Sequence, residues 1–205
     1  MPSSDVAFTA SVKAMQQARG SREAYARIEQ RGGFRTGIND DLADFLTRID
    51  TAYLATASAG SQPYAQHRGG PPGFIRVIDA RTLGFADFVG NRQYVTAGNL
   101  AENEQAFLFL MDYGARRRIK IWGLARVVAD DPELVARLMP QGYPARAEQA
   151  ILFTVLAWDV NCPQHIPRKL DADDVTIAIT SLEARIATLE TENAELRAQI
   201  ERTKP

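Results

Sequence analysis

Residues 105–128 read QAFLFLMDYGARRRIKIWGLARVV and contain two apolar runs that are separated by a short polar turn. In the second run, strand alternation places Arg118, Lys120 and Trp122 on one face and the two intervening isoleucines on the other. Six or more such runs, joined by tight turns and with few helices between them, indicate an antiparallel barrel rather than a parallel α/β sheet.

The other expected strands lie on both sides of this pair. They are predicted at 51–58, 63–67, 74–79, 83–89 and 150–160. Loose helical spacing predicts two short helices within residues 5–31. A short helix is expected over 42–49, capped by Asp40 or Asp41, and another over 131–138.

The composition is that of an ordinary globular protein with balanced charge. The 205 residues include 24 Lys and Arg, 25 Asp and Glu and 45% hydrophobic residues, for a formal net charge of −1. This length fits one domain, or one domain with an appendage, and the apolar fraction excludes global disorder. A chain so close to neutral has no general attraction to nucleic acid or to an anionic membrane, so we expect neither as a partner.

The cysteine and histidine counts limit the redox and metal chemistry. Cys162 is the single cysteine, which excludes an intrachain disulfide framework and suits a reducing cytoplasm. One cysteine and two histidines argue against a zinc site held by protein ligands. We find no signal-peptide pattern, and the apolar stretches are far shorter than the ~20 residues that span a bilayer. The sequence therefore predicts a soluble cytoplasmic protein without a metal.

The C-terminal residues 176–202 carry a heptad repeat. Position a is occupied by Ile179, Ile186, Asn193 and Ile200, and position d by Leu182, Leu189 and Leu196. Isoleucine at a with leucine at d favours a parallel two-stranded coiled coil, and one polar Asn at a fixes register and strand number. Across such a pair Arg185 faces Glu190, and Glu192 faces Arg197. The alternative is a single amphipathic helix on its own barrel, but the Asn and the two charge pairs favour the coiled coil.

Two segments that contain glycine are candidates for binding an anion. The first is His67-Arg68-Gly69-Gly70, in which a cation precedes two glycines whose N–H groups can approach an anion closely. The second is Gly90-Asn91-Arg92-Gln93-Tyr94, directly after a predicted strand, where polar side chains suit a phosphate or a ribityl chain. Each segment is equally consistent with a solvated connection between strands, so the residues alone leave both interpretations open.

Two further segments combine reactive or charged side chains. Arg118, Lys120 and Trp122 set two cations beside an aromatic ring, which suits a phosphorylated aromatic ligand. A charged outer face and a nucleic-acid patch are the alternatives, and the basic run is too short to favour the patch. Cys162 and His165, after the last strand, invite a nucleophile hypothesis, but the spacing shows no general-base geometry.

Four of these segments, in this order, resemble one known family over about residues 40–167. The motifs are QHRGGPPG at 66–73, FADF with GNRQY at 85–94, RIKIWG at 118–123 and WDVNCPQH at 158–165. They resemble the FMN-binding split-barrel proteins related to pyridoxamine 5′-phosphate oxidase. The resemblance implies a six-stranded antiparallel split β-barrel that forms a homodimer, with FMN in two clefts at the subunit interface.

The resemblance also implies roles for the residues that match it. Arg68 and Arg92 would hold the flavin phosphate, with Asn91 or Gln93 beside them. Arg118 falls where these proteins often place a polar contact to the flavin. The other implied cofactor contacts are His67, Gly69, Gly70, Tyr94, Lys120, Trp122, Gln164 and His165.

The sequence is therefore interpreted as an FMN-binding flavoprotein, with a flavin-dependent oxidoreductase as the expected activity and no catalytic residue assigned. Three parts are expected: an N-terminal helical segment (1–39), the split-barrel domain (40–170) and a parallel dimeric coiled coil (176–202). The C-terminal segment that grips the pyridoxal phosphate in the true oxidases is not found, so we do not expect pyridoxamine phosphate as the substrate.

Two other functional classes remain open at this point. One is a flavin carrier or redox sensor without turnover, whose coiled coil recruits a partner. The other is an interaction scaffold with an empty barrel. The sequence has no G-x-G-x-x-G fingerprint, so a reduced nicotinamide that served as electron donor would bind transiently.

Overall fold

The computed structural model describes residues 1–160 and 162–203. Antiparallel β-structure dominates it. The strands are β1 (Thr51–Ala57), β2 (Pro63–Gly69), β3 (Arg76–Val77), β4 (Thr82–Phe88), β5 (Gln105–Asp112), β6 (Arg117–Val128) and β7 (Ala147–Val160). The helices are α1 (Ala10–Ala18), α2 (Arg22–Gln30), α3 (Asp40–Arg48), α4 (Val95–Glu102), α5 (Pro132–Leu138) and α6 (Ala172–Arg202).

All strand pairs are antiparallel, in the order β2-β1-β5-β6-β7-β4-β3. This confirms the predicted fold class. The structure has seven strands instead of the six implied by the resemblance, because the two-residue β3 adds a short edge to β4. Phe74 and Ile75, which were expected in a strand at 74–79, are buried in the core outside any strand.

The sheet curls so that its two ends meet through side chains. β2 forms one end of the sheet, and β4 lies next to the other end. Arg68 on β2 makes an ion pair with Asp87 on β4. β2 and β4 are not neighbours in the hydrogen-bonded sheet, so a gap remains between them beside this ion pair. This gap is the split of the barrel.

The core lies on the concave side of this sheet, and β6 shows the predicted alternation. Ile119 and Ile121 are fully buried, whereas Arg118, Lys120 and Trp122 lie partly exposed on the outer face. The register between β6 and β7 shifts at Gly123. A Cβ atom there would collide with the Thr154 carbonyl oxygen and the Phe153 ring, so the bulge requires glycine.

Local side chains start the short helices. The Asn39 side chain accepts a hydrogen bond from the backbone N–H of Leu42 at 3.1 Å and caps α3. The predicted cap at Asp40 or Asp41 was therefore wrong by one or two residues; three successive residues here are all good capping types. The start of α5 agrees with the prediction, because Asp131 accepts from the N–H of Leu134 at 2.8 Å.

The N-terminal segment, residues 1–35, packs on the outer face of β6 and β7. Its Arg35 forms a two-way backbone bridge with Trp158, with N···O distances of 3.2 and 2.8 Å. The Phe34 ring stacks on Trp122, with centroids 5.3 Å apart and planes inclined by 10°. The aromatic contacts fix this segment on the barrel.

The chain divides into two compact units. The first contains the barrel and the N-terminal segment, and the second contains the turn Tyr113–Arg116 and the chain from His165 onward. Within the second unit, Lys169 lies with its Nζ 4.2 Å from the centre of the Tyr113 ring. α6 is one continuous helix of 31 residues with no buried residue. Among the described residues, no helix has the length and apolar character needed to cross a membrane.

Candidate functional site

The gap between β2 and β4 forms a polar cleft in the first unit. Gln66, Arg68, Asp87, Phe88 and Gly90 line both of the adjoining cavities in this gap. We call this surface the split cleft. The loop after β4 and the first turn of α4 form its outer rim.

A nearly buried ion pair lies at the floor of the split cleft. The side chains of Arg68 and Asp87 are each 13% exposed. Gln149 Nε2 donates to the other carboxylate oxygen of Asp87 at 2.8 Å. The buried Nε of Arg68 has no hydrogen-bond partner among the described residues. Burying charges is costly unless their polar atoms are satisfied, so this free donor suits a ligand that brings an acceptor.

The loop after β4 places a second guanidinium at the rim. Arg92 and Tyr94 both adopt left-handed backbone conformations, with φ of 61° and 54°. Such φ values cost a residue with a Cβ roughly 1–2 kcal/mol, and strain of this kind clusters at functional sites. The Asn91 side chain supports the turn by accepting from the N–H of Gln93 at 3.2 Å.

Side-chain contacts hold Arg92 in place. Arg92 Nε donates to the Tyr94 hydroxyl at 3.4 Å, and this hydroxyl donates to Glu148 Oε1 at 2.9 Å. The hydrogen bond to Tyr94, with the nearby Glu148 carboxylate, raises the pKa of the Arg92 guanidinium above its ordinary value. Arg92 therefore supplies a permanent positive charge at the rim.

The first turn of α4 adds backbone donors. Val95 and Thr96 line the split cleft, and no side chain caps the helix at Tyr94. The Thr96 hydroxyl donates to Gln66 Oε1 at 2.8 Å, which ties this turn to β2. N–H groups at a helix N-terminus favour anions. With two guanidinium groups nearby, the arrangement can hold a phosphate.

The structure brings seven of the predicted residues to the split cleft: His67, Arg68, Gly69, Asn91, Arg92, Gln93 and Tyr94. Sequence reasoning did not select the polar residues that complete the cleft, which are Gln66, Asp87, Thr96, Glu148 and Gln149. Asp87 carried a signal, because a carboxylate lay between two phenylalanines in a predicted strand. Glu148 and Gln149 carried none, since polar residues are ordinary at the start of a strand.

The glycines after Arg68 serve packing. The Gly70 N–H donates to the Asp50 carbonyl oxygen at 3.1 Å, so this donor is already engaged. A Cβ on Gly70 would lie 2.8 Å from the Cβ of Phe74, closer than real Cβ atoms approach. Gly69 pairs with Thr51 in the sheet and lines the inner part of the split cleft. The close approach of the Phe74 side chain to the backbone explains why residue 70 is a glycine. The predicted contact of Gly70 with a cofactor stays a prediction.

Three other predicted residues lie on β6. Lys120 Nζ lies 3.3 Å from Asp159 Oδ2 and 5.8 Å from the centre of the Phe34 ring. The N-terminal segment therefore packs against Lys120 and Trp122, and neither lines the split cleft. The buried Nε of Arg118 has no hydrogen-bond partner among the described residues. Arg118 is thus the second guanidinium with a donor left for a ligand.

The last three predicted residues lie near strand ends. His67 points away from the core, and its ring meets the edge of Tyr53 at 5.7 Å between centroids. Gln164 is exposed after β7, and His165, with φ of 63°, is the first residue of the C-terminal part of the second unit. Cys162 is exposed, and Asn161 of the same motif lies outside the described residues. The roles assigned to these residues stay predictions.

Comparisons with known proteins identify the barrel. The sequence model of the pyridoxamine 5′-phosphate oxidase family matches residues 38–162. The crystal structure of HupZ from Group A Streptococcus is 16% identical with a TM-score of 0.50, covering 65% of this chain and 99% of that chain. The comparison with curated proteins gives no match.

Two other solved structures are similar to this chain with lower scores. An FMN-binding protein from Syntrophomonas wolfei is 11% identical, with a TM-score of 0.47, covering 71% of this chain and 97% of that chain. HutZ, the heme storage protein from Vibrio cholerae, is 15% identical, with a TM-score of 0.41, covering 58% of this chain and 92% of that chain. At these identities structural likeness bears on the fold, so the ligand must be argued from the residues of the site.

Proposed function

Because the chain belongs to the pyridoxamine 5′-phosphate oxidase family, we propose that it is a flavoprotein that binds FMN with the phosphate in the split cleft. The observation that carries the proposal is the buried Nε of Arg68, a donor without a partner among the described residues. Arg92 and the first turn of α4 add positive charge around the same cleft. An FMN phosphate supplies the acceptors that this set of donors lacks.

The residues of the split cleft also define how the phosphate is oriented. Asp87 holds Arg68 from one side, and Gln149 holds Asp87. The guanidinium group of Arg68 is therefore fixed before a ligand binds, which lowers the entropy cost of binding. Tyr94 does the same for Arg92 at the rim.

When FMN is bound, its isoalloxazine ring supplies the redox chemistry, and the protein supplies binding and electrostatics. The free Nε of Arg118 suits a polar atom of the cofactor. A cation near the N1–C2=O edge would stabilise the reduced ring, and Lys120 is the candidate for it within the first unit. We assign the activity to a cytoplasmic flavin-dependent oxidoreductase, with a reduced nicotinamide as a transient electron donor.

We further propose a homodimer with FMN at the subunit interface, on the pattern of the family. α6 follows the barrel where the true oxidases carry their pyridoxal phosphate-binding segment, so we propose a substrate other than pyridoxamine phosphate. A flavin carrier or redox sensor is the second candidate function. The 31-residue α6 favours it, because the outer faces of a coiled coil formed by this helix offer a surface for recruitment.

The decisive experiment is mass spectrometry of the small molecule released by denaturing the purified protein, together with its visible spectrum. FMN and the spectrum of an oxidised flavin are expected. Release of heme, or a colourless protein that does not bind added FMN, would refute the proposal. Bleaching of the flavin by reduced nicotinamide, followed by reoxidation, would distinguish the oxidoreductase from the carrier.

A further inference from the structure

α6 exposes a continuous apolar seam. Its a and d residues Ile179, Leu182, Ile186, Leu189 and Leu196 are 45–64% exposed. In the same heptad, Ala172 occupies position a and Val175 position d, so the seam begins at the first residue of the helix. The 31 residues of α6 extend about 46 Å at 1.5 Å per residue. A seam of this length remains open to a partner helix.

The charged residues beside the seam lack partners on their own helix. Arg185 and Glu192 occupy position g, and Glu190 and Arg197 occupy position e. Within the described part of α6, none of the four forms an ion pair. Thr180, Thr188 and Thr191, at the outer positions b, c and f, donate to carbonyl oxygens of the preceding turn. The four charged side chains beside the seam are available to a partner helix.

We propose that the seam is covered by α6 of a second copy of this chain, parallel and in register. In this arrangement Arg185 reaches Glu190 of the second copy and Glu192 reaches its Arg197, so each pairing occurs twice. The two Asn193 side chains meet at one layer and can hydrogen-bond to each other. The pattern of α6 is complementary to itself.

The other arrangements fit this pattern less well. In an antiparallel pair, position a packs against position d, so Asn193 would face a leucine and leave its amide unpaired. A heterologous helix would have to repeat the same charge order and carry its own polar residue at the Asn193 layer. The proposal concerns residues outside the family match at 38–162, so it is independent of FMN binding.

Disulfide trapping in the full-length protein tests the arrangement. In a Cys162→Ser background, Leu189→Cys places one thiol at position d, and the matched control Thr191→Cys places it at position f on the outside. After mild oxidation, the position-d variant is expected to run mostly as a disulfide-linked dimer and the position-f variant mostly as a monomer. An antiparallel coil, a heterologous partner or an unpaired helix would leave the position-d variant unlinked and would overturn the proposal. Equal linkage of both variants would overturn it as well.

Charge reversal provides a second, reversible test. Adding Arg185→Glu to the position-d variant sets like charges against each other twice and is expected to slow cross-linking several-fold. The double change Arg185→Glu with Glu190→Arg restores opposite charges and is expected to restore the rate. A rate that is unaffected by the single change, or not restored by the double change, would refute the proposed register.

Discussion

At the scale of single residues, the split cleft depends on two guanidinium groups with different supports. Arg68 is held at the floor by Asp87, whereas Arg92 is held at the rim by Tyr94. The exposed Arg92 can be changed without leaving a buried charge unpaired, but removing Arg68 would leave Asp87 without its cation. Arg92 is therefore the better probe of phosphate binding.

We expect Arg92→Ala to weaken FMN binding by about 10–150-fold, because a charge-assisted contact to phosphate contributes about 1.5–3 kcal/mol. Fluorescence titration of the apoprotein with FMN measures this effect. Arg126→Ala, which removes an exposed arginine of β6 outside the split cleft, is the matched control and should bind FMN normally. Equal affinity of the two variants would remove Arg92 from the site.

The bulge at Gly123 allows a prediction about the stability of the fold rather than about FMN binding. An added Cβ would collide with the backbone of β7, so we expect Gly123→Ala to destabilise the fold at the upper end of the ~1–3 kcal/mol range for overpacking. Gly98→Ala is the contrasting control. Its Cβ meets nothing within 4 Å in α4, so it should stabilise by roughly 0.5–1 kcal/mol. Urea unfolding measures both changes, and a Gly123→Ala protein of unchanged stability would contradict the account of the bulge.

Individual residues also show why only part of the site was predictable. The alternation of β6 could be read from the sequence because neighbouring side chains in a strand take opposite faces. The pairing of Arg68 with Asp87 could not, because it depends on how the sheet curls and brings β2 close to β4. Glu148 enters the site through the long-range pairing of β7 with β4, by a contact with a hydroxyl 54 positions earlier in the chain.

At the scale of elements, α1 and α2 are joined by charges that are sensitive to acid. Glu29 on α2 forms an ion pair with Lys13 at 2.9 Å and accepts a hydrogen bond from Arg22, and its side chain is only 11% exposed. The interaction with Lys13 is the main cause that lowers the pKa of the Glu29 carboxyl below its ordinary value. The stabilisation is therefore present above the ordinary pKa of 4.5 and is lost as the pH falls through the lower value of the folded state.

We expect acid to loosen the N-terminal segment before the barrel unfolds. Limited proteolysis across a series of pH values should show cleavage within residues 1–35 rising below the ordinary pKa of Glu29. Glu29→Gln should already be cleaved faster at neutral pH and should depend less on acid. Glu23→Gln is the matched control, because the Glu23 side chain is 82% exposed and its ion pair with Arg27 contributes little. Identical cleavage of both variants would show that the Glu29 cluster does not hold the segment.

The position of this segment shows a limit of sequence reasoning at the element scale. Helical spacing predicted two helices within residues 5–31, and both are present as α1 and α2. The spacing did not show that Phe34 would stack on Trp122, because a stacking partner that lies 88 positions away leaves no periodic signal. The sequence thus predicted that Lys120 and Trp122 share the outer face of β6, but it did not predict that the N-terminal segment packs against this face.

At the scale of the whole molecule, the two units carry separable proposed roles. The described residues of the split cleft belong to the first unit, and α6 belongs to the second. If the barrels already form a dimer, pairing of the two α6 helices becomes effectively intramolecular and gains from a high local concentration. A coiled coil of this length, marginal when its strands are free, would then remain closed.

Deleting residues 176–205 tests whether these roles are separable. The truncated protein keeps every residue of the split cleft, so we expect it to remain a dimer and to bind FMN with unchanged stoichiometry. Sedimentation and flavin occupancy measure the two properties independently. A monomeric protein that still binds FMN would show that α6 makes the dimer while one subunit suffices for the cofactor. A monomeric and colourless product would show that the FMN site needs both subunits and that α6, not the barrel, brings them together.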